Sequence, residues 1–169
     1  VDIGAHIGKH TIRLARQMGS NGNVVAIEPE PWNFSLLTHN IRLNRLANVF
    51  PVRAACAERS GSVSLHVHST YSTLHSTAVD HQGREIPVRA VTLDGLLEEM
   101  GINRVDLVKI DVEGGERAVL EGARQTLNNH HPFVVIEAWD QLAKENTRAF
   151  LSSLNYSIRS IDETNLFAS

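Results

Sequence analysis

Short apolar runs that alternate with helical patterns constrain the fold of this chain more than any other feature. The runs are residues 23–28 (NVVAIE), 105–112 (VDLVKIDV) and 133–138 (FVVIEA), with a weaker one at 48–53 that contains a proline. They lack the polar alternation of a strand that faces water on one side. The helical patterns are the segment that follows Gly8 and residues 31–44, 116–127 and 143–154. This alternation predicts a doubly wound α/β fold with a mostly parallel sheet.

One region interrupts the alternation. Residues 62–68 (SVSLHVH) alternate strictly between apolar and polar side chains, and residues 85–93 read as extended. We expect these two segments to form a β-hairpin inserted after the third main strand, with residues 69–79 as a loop. His66 and His68 share one face of the first segment. We expect both to face solvent, and a metal site completed by His75 and His81 is the alternative.

The two ends suggest a single domain, residues 1–169, that is trimmed on both sides. Val1 and Asp2 read as the last part of a first strand without its lead-in residues. Residues 156–161 read as a sixth strand, and residues 166–169 begin a further strand that stops short. We therefore expect a truncated C-terminal antiparallel strand.

Composition excludes several classes of protein. The 16 basic and 19 acidic residues give a net charge of −3, so no basic surface for nucleic acid is indicated. No apolar run approaches the roughly 18–20 residues of a membrane span. The single cysteine, Cys56, cannot form an internal disulfide. We expect a cytoplasmic protein that binds neither nucleic acid nor membrane, and the oligomeric state is left open.

A glycine turn marks the first expected ligand contact, because ligands of open α/β sheets bind beyond the carboxyl ends of the strands. Gly4 and Gly8 lie between a strand and a helix, and Glu28 ends the next strand twenty residues later. A carboxylate there can accept hydrogen bonds from both ribose hydroxyls. The dinucleotide pattern G-x-G-x-x-G is not met, since His6 and Lys9 replace its second and third glycines. A nucleoside without a pyrophosphate is indicated, and a tight turn without a ligand is the alternative.

These residues resemble a known family. D-x-G-x-x-x-G at residues 2–8, followed by an acid that closes the second strand, resembles the cofactor motif of class I S-adenosylmethionine-dependent methyltransferases. Residues 27–31 (IEPEP), 92–97 (TLDGLL), 105–116 (VDLVKIDVEGGE), 119–123 (VLEGA) and 135–137 (VIE) resemble the FkbM-type family in particular. The resemblance runs through nearly the whole chain in the right order and implies a Rossmann-like fold.

The resemblance implies S-adenosyl-L-methionine as the cofactor. Asp2, Gly4 and Gly8 are then expected beside its methionine part and Glu28 at its ribose. Many class I methyltransferases hold the adenine with an acid after the third strand. Here that stretch is residues 54–56 (AAC), so backbone groups or Glu58 are the open alternatives. The full set of expected cofactor-binding residues is Asp2, Gly4, Ala5, His6, Gly8, Glu28, Pro29, Ala55 and Asp111.

Acidic residues also end the two later strands. Asp111 and Glu113 lie at the end of the strand at 105–112 and share their parity with Lys109, while Glu137 ends the neighbouring strand. Three uses are open: a general base, a divalent cation site, or a cofactor contact combined with helix capping. The expected catalytic residues are Lys109, Asp111, Glu113 and Glu137, and no resident metal is expected.

The expected function is S-adenosylmethionine-dependent methyl transfer to the oxygen of a sugar or other small-molecule hydroxyl. The alternatives are an NAD(P)-dependent oxidoreductase and a non-catalytic nucleoside-binding domain. Cys56 is expected to be a small buried residue and not a nucleophile. Trp32 and Trp139 each follow a strand-end acid, and stacking on a ligand and core packing are both open for them.

Overall fold

A mostly parallel sheet of seven strands forms the centre of the protein. A computed structural model describes residues 1–67, 75–76 and 84–169. The strands of this sheet are β1 (Asp2–Ile3), β2 (Val24–Ile27), β3 (Val49–Val52), β8 (Leu107–Ile110), β9 (Phe133–Glu137), β10 (Ile158–Ser160) and β11 (Asn165–Ala168). Their order is β10-β11-β9-β8-β1-β2-β3. The predicted α/β fold is confirmed, and β3, which carries Pro51, lies at the sheet edge where a missing donor is tolerated.

Helices cover both faces of this sheet. They are α1 (Lys9–Met18), α2 (Pro31–Leu43), α3 (Leu93–Glu99), α4 (Glu116–Gly122), α5 (Arg124–His130) and α6 (Gln141–Ser153). Val25 and Ile27 of β2 pack in a core cluster with residues of α3 to α6. Val24 and Ala26, on the opposite face, pack with residues of α1 and α2. Burial on both faces explains why β2 lacks polar alternation.

The predicted helix at residues 116–127 is wrong in one respect, because the segment forms two helices that meet at Ala123. The Asp94 carboxylate accepts hydrogen bonds from the backbone N–H groups of Gln125 and Thr126, at 2.9 and 2.8 Å. This side chain therefore caps α5 from another helix and stabilises a second helix start. The apolar spacing across the break gave no sign of this long-range contact.

The inserted hairpin belongs to a second, four-stranded sheet. Strands β4 (Ala55–Cys56), β5 (Gly61–Val67), β6 (His75–Ser76) and β7 (Arg84–Val91) have the order β4-β7-β5-β6. The predicted antiparallel pairing is confirmed between β5 and β7. Apart from β6, the predicted loop at 69–79 lies outside the described residues, as do His68 and His81.

The prediction that His66 faces solvent is wrong. Its side chain is buried, and its Nδ1 lies 3.5 Å from the Glu85 carboxylate. In the strand register His66 lies between Ser76 of β6 and Glu85 of β7, whereas the prediction assumed a hairpin of two strands with one wet face.

The C-terminal strands complete the main sheet. β11 is antiparallel to both β9 and β10, and Ile158 pairs with Ala168. The expected C-terminal antiparallel strand is therefore present as β11, which lies between β9 and β10 in the sheet. Across residues 1–67, 75–76 and 84–169, no helix is both long and apolar enough to cross a membrane.

Candidate active site

The registers of the central strands bring the predicted site residues to one edge of the sheet. Ile3 pairs with Ile27 and with Ile110, and Ile110 pairs in turn with Ile136. The residue after each of these is a predicted site residue: Gly4, Glu28, Asp111 and Glu137. The strand order changes direction next to β1, which is where ligands bind in doubly wound sheets.

A cavity of about 280 Å³ opens at this edge. Seven of the nine predicted cofactor-binding residues line it: Gly4, Ala5, His6, Glu28, Pro29, Ala55 and Asp111. Glu113 and Glu137 line it as well. Three other predicted site residues are not part of this lining: Asp2, Gly8 and Lys109.

Gly4 closes the turn between β1 and the cavity. Its backbone N–H and that of Ala5 both donate to the carbonyl oxygen of Ile27, at 3.0 Å. Gly4 has a φ of +75°, and a Cβ built there would lie 1.7 Å from the carbonyl oxygen of Asp111. Only glycine allows the turn to pack so closely on the end of β8.

Glu28 is buried at the end of β2. Its Oε2 accepts from the N–H of His6 at 2.8 Å, and its Oε1 accepts from the N–H of Glu30 at 3.0 Å. Burial raises the pKa of Glu28, and the two backbone hydrogen bonds oppose that rise. Each oxygen retains acceptor capacity, so the carboxylate is fixed in place and can still accept hydroxyl groups.

The Asp2 side chain lies beneath the cavity. It is 0% exposed, and its Oδ2 accepts from the Thr11 hydroxyl at 2.6 Å. Lys109 Nζ lies 3.4 Å from Asp2 Oδ1 and 3.1 Å from Asp111 Oδ2. Asp2 is therefore placed to support the cavity from below, and its contact with cofactor stays a prediction. Lys109 joins the glycine turn to the acidic end of the cavity.

Three acids converge at that end. Burial, a hydrogen bond with Asp111 and the charges of Asp111 and Glu113 raise the pKa of Glu137 to about 7. Burial, followed by the charges of Asp111 and Glu116, also raises the pKa of Glu113. Glu113 and Gly114 both have positive φ, so the backbone turns sharply after β8. Such conformations in a non-glycine residue concentrate at functional sites.

The opposite wall of the cavity is apolar. Ala54, Ala55, Cys56 and Leu65 line it. Cys56 is half-buried at this wall, and burial raises the pKa of its thiol to about 12, which disfavours the reactive thiolate form. Glu58 is exposed and does not line the cavity, which favours backbone groups of residues 54–56 over Glu58 for the predicted adenine contact.

Sequence reasoning missed three polar residues of the lining, Lys9, His10 and Asn33. All three lie in the first turn of a helix that follows a cavity-lining loop. The N-terminus of a helix that begins at a strand end points at the ligand in this architecture, and that rule could have identified them. Burial, followed by the charge of Lys109, lowers the pKa of His10.

Trp32 and Trp139 are 67% and 60% exposed, so the core-packing alternative is wrong for both. Trp139 lies two residues after Glu137 and two residues before α6, and Trp32 lies in the first turn of α2. Within the described residues, no group of three or more His, Cys, Asp or Glu side chains is arranged to hold a metal ion.

The donor set of the cavity fits a cationic nucleoside. An apolar wall suits a base, and a buried carboxylate with free lone pairs suits ribose hydroxyls. Clustered acids at the far end suit an ammonium and a sulfonium. Such a ligand carries no pyrophosphate, so its site does not need a group of basic residues.

The fold is shared with S-adenosylmethionine-dependent methyltransferases. The chain superposes on Aeropyrum pernix fibrillarin, a structure with natively bound S-adenosyl-L-methionine, with a TM-score of 0.59 at 14% identity, covering 99% of this chain and 63% of that one. It superposes on the methyltransferase FkbM of Methylobacillus flagellatus KT with a TM-score of 0.69 at 20% identity, covering 99% and 42%. Residues 2–158 match the model of the methyltransferase FkbM domain, and the chain belongs to this family.

Curated relatives agree with this assignment. The chain is 30% identical over 136 residues to the hexuronic acid methyltransferase AglP of Haloferax volcanii, covering 80% of this chain and 54% of that protein. It is 27% identical over 171 residues to the methyltransferase sdnD of Sordaria araneosa, covering 83% and 66%. The chain thus spans between half and two thirds of the length of these relatives.

Proposed function

We propose that this chain is the cofactor-binding and catalytic core of a methyltransferase that uses S-adenosyl-L-methionine and methylates an oxygen of a sugar or other small-molecule acceptor. The observation that carries the proposal is one cavity with Glu28 at one side and Asp111, Glu113 and Glu137 at the other. Family membership supports methyl transfer over the nicotinamide-dependent alternative.

The cofactor supplies an electrophilic methyl group on a sulfonium. Glu28 would accept the ribose hydroxyls, since its carboxylate is already fixed by two backbone N–H groups. The backbone turn at Gly4 and Ala5 would lie along the methionine part. These residues position the methyl donor, and positioning supplies much of the acceleration in a direct displacement.

Glu137 is the proposed general base. Its pKa of about 7 is well suited to take a proton from an acceptor hydroxyl near neutral pH. Methyl transfer should therefore increase as pH rises through about 7, because only the deprotonated carboxylate can accept that proton.

Binding of S-adenosylhomocysteine to the complete protein, measured by calorimetry, tests the cofactor site. Glu28→Gln should weaken binding by about 10- to 100-fold, the value of one or two lost hydrogen bonds to a charged group. Glu58→Gln removes an exposed acid outside the cavity and is the matched control. Undetectable binding by the wild-type protein, or equal losses in the two variants, would refute the proposed site.

A panel of acceptors tests the transfer step, with release of S-adenosylhomocysteine as the readout. Hexuronic acids head the panel because one relative bears that name and because Lys9 provides a cation at the cavity. Release with any acceptor excludes the non-catalytic alternative. Binding without release across the panel would support it instead.

Trp139 is the residue at which we expect a sugar ring to stack, since exposed aromatic rings beside an acid suit carbohydrate faces. Trp139→Ala should raise the KM for a sugar acceptor and leave S-adenosylhomocysteine affinity unchanged. Trp32→Ala, which removes the other exposed tryptophan, is the control. An unchanged KM in Trp139→Ala contradicts this role.

A further inference from the structure

A buried ion cluster lies beneath the acidic end of the cavity. Asp2 of β1 and Lys109 of β8 are partners in the strand register, and both side chains point to the same side of the sheet. Asp2 is fully buried, and its Oδ1 has no hydrogen-bond partner among the described residues. A carboxylate in such a place is stable only beside a cation, and Lys109 Nζ at 3.4 Å provides it.

The same ammonium group serves a second carboxylate. Lys109 Nζ donates to Asp111 Oδ2 at 3.1 Å, and the lysine side chain is only 13% exposed. Among the described residues, Glu137 has no such close ion pair with a cation. It contacts Asp111, and the charge of Lys109 lowers its pKa only as the weakest of the influences on it. The two acids therefore differ: one is paired with a buried cation and the other is paired with an acid.

Two neighbouring carboxylates that share one site cannot both be ionised at low cost, and the proton settles on the one with less positive charge beside it. We propose that Lys109 is a positioning residue that keeps Asp111 in its carboxylate form, so that the single proton of the acid pair resides on Glu137.

The other titratable groups that act on this cluster do not change the assignment. They are His10 from α1 and Glu113 from the turn after β8. Glu113 repels negative charge on Glu137, which favours a proton there. The lowered pKa of His10 keeps its imidazole neutral near pH 7, so it adds no positive charge to the cluster.

The consequence for the reaction is a division of roles. Glu137 releases its proton near neutrality and becomes the base, while Asp111 stays ionised and fixed by Lys109. Lys109 does not line the cavity, so in this proposal it acts through its ion pairs with Asp111 and Asp2. This inference deepens the proposed function by saying which acid at the site carries the proton.

Carboxyl carbon NMR of the wild-type protein, titrated from pH 4 to 9 without cofactor, tests the inference directly. The Glu137 signal should move through one transition near neutrality, and the Asp111 signal should show no transition there. A transition near neutrality in the Asp111 signal, with none in the Glu137 signal, would overturn the proposal. This experiment uses only the wild-type protein, so it does not depend on whether a variant folds.

The variant Lys109→Met gives the second arm. Without the cation the proton is shared between the two acids, so the Glu137 transition should lose amplitude and the Asp111 signal should gain what Glu137 loses. Lys109→Arg should restore the wild-type pattern. Arg104→Met, which removes an exposed cation paired with Asp106, controls for the change in net charge and should leave both signals unchanged.

Wild-type titration curves in Lys109→Met would show that the lysine is only a packing residue. Neither arm uses cofactor or acceptor, so failure here is distinct from failure of the calorimetric and transfer experiments that test the proposed function.

Discussion

Replacement of Gly4 by alanine tests whether the cavity depends on close contact between the glycine turn and the end of β8. The added Cβ would lie 1.7 Å from the Asp111 carbonyl oxygen, and backbone cannot rotate away as a flexible side chain can. The φ of +75° adds about 1–2 kcal/mol of strain for a residue with a Cβ. Overpacking of the new Cβ against the Asp111 backbone adds about 1–3 kcal/mol to the loss of stability. Alanine also lowers the conformational entropy of the unfolded chain, which favours folding and offsets about 0.4–1 kcal/mol of this loss.

Gly101→Ala separates the two contributions. Gly101 has a φ of +66°, and a Cβ there would meet nothing within 4 Å. This variant should lose about 1 kcal/mol from strain alone, whereas Gly4→Ala should lose about 2–4 kcal/mol.

Urea denaturation of both variants provides the measurement. With a slope of about 2 kcal/mol per molar urea, the midpoint should fall by about 1–2 M in Gly4→Ala and by about 0.5 M in Gly101→Ala. Equal midpoint shifts in the two variants would show that φ strain accounts for the whole loss of stability and that the contact with Asp111 contributes nothing. An unchanged midpoint in Gly4→Ala would refute the whole argument.

Three further predictions concern single side chains. Because the pKa of Glu137 is raised from 4.5 to about 7 in the folded state, its contribution to stability is present below pH 4.5 and is lost as pH rises to about 7. The urea midpoint of Glu137→Gln, measured relative to that of the wild type, should therefore rise as pH rises across this range. A difference between the two midpoints that stays constant with pH contradicts the prediction. Cys56, whose pKa is raised from 9.0 to about 12, should react with a thiol reagent about 30- to 60-fold more slowly in the native state than in urea, because the lower thiolate fraction is partly offset by the greater nucleophilicity of a more basic thiolate, and equal rates would be the contrary result. Tyr156 donates its buried hydroxyl to the Leu127 carbonyl at 3.2 Å, so Tyr156→Phe should lose about 1 kcal/mol in urea denaturation, and an unchanged midpoint is the opposing outcome.

Local patterns predicted the elements of this fold well. The run at 23–28 and the helix at 31–44 correspond to β2 and α2, and Pro31 occupies the first turn of that helix. Such features depend on residues a few positions apart, and their signals are complete within a short window of sequence. The boundary at Ala123 depended instead on the Asp94 carboxylate, about thirty residues earlier in the chain.

The positions of the site acids followed from the sequence, but their roles did not. That Glu28, Asp111 and Glu137 end strands can be read from the runs that precede them, and strand ends are where α/β sheets bind ligands. Which acid lies beside which depends on strand order and register, and these are fixed by pairing between distant segments.

The sequence by itself thus determined a parallel α/β fold, a glycine turn and a set of acids at one sheet edge. Only the tertiary structure placed Asp2 beneath the cavity, buried His66 and exposed Trp139. It alone set Lys109 between Asp2 and Asp111, because β1 and β8 are neighbours in space although they lie more than a hundred residues apart. Burial and charge pairing depend on such neighbours, and it is these contacts that decide which carboxyl group is free to take a proton.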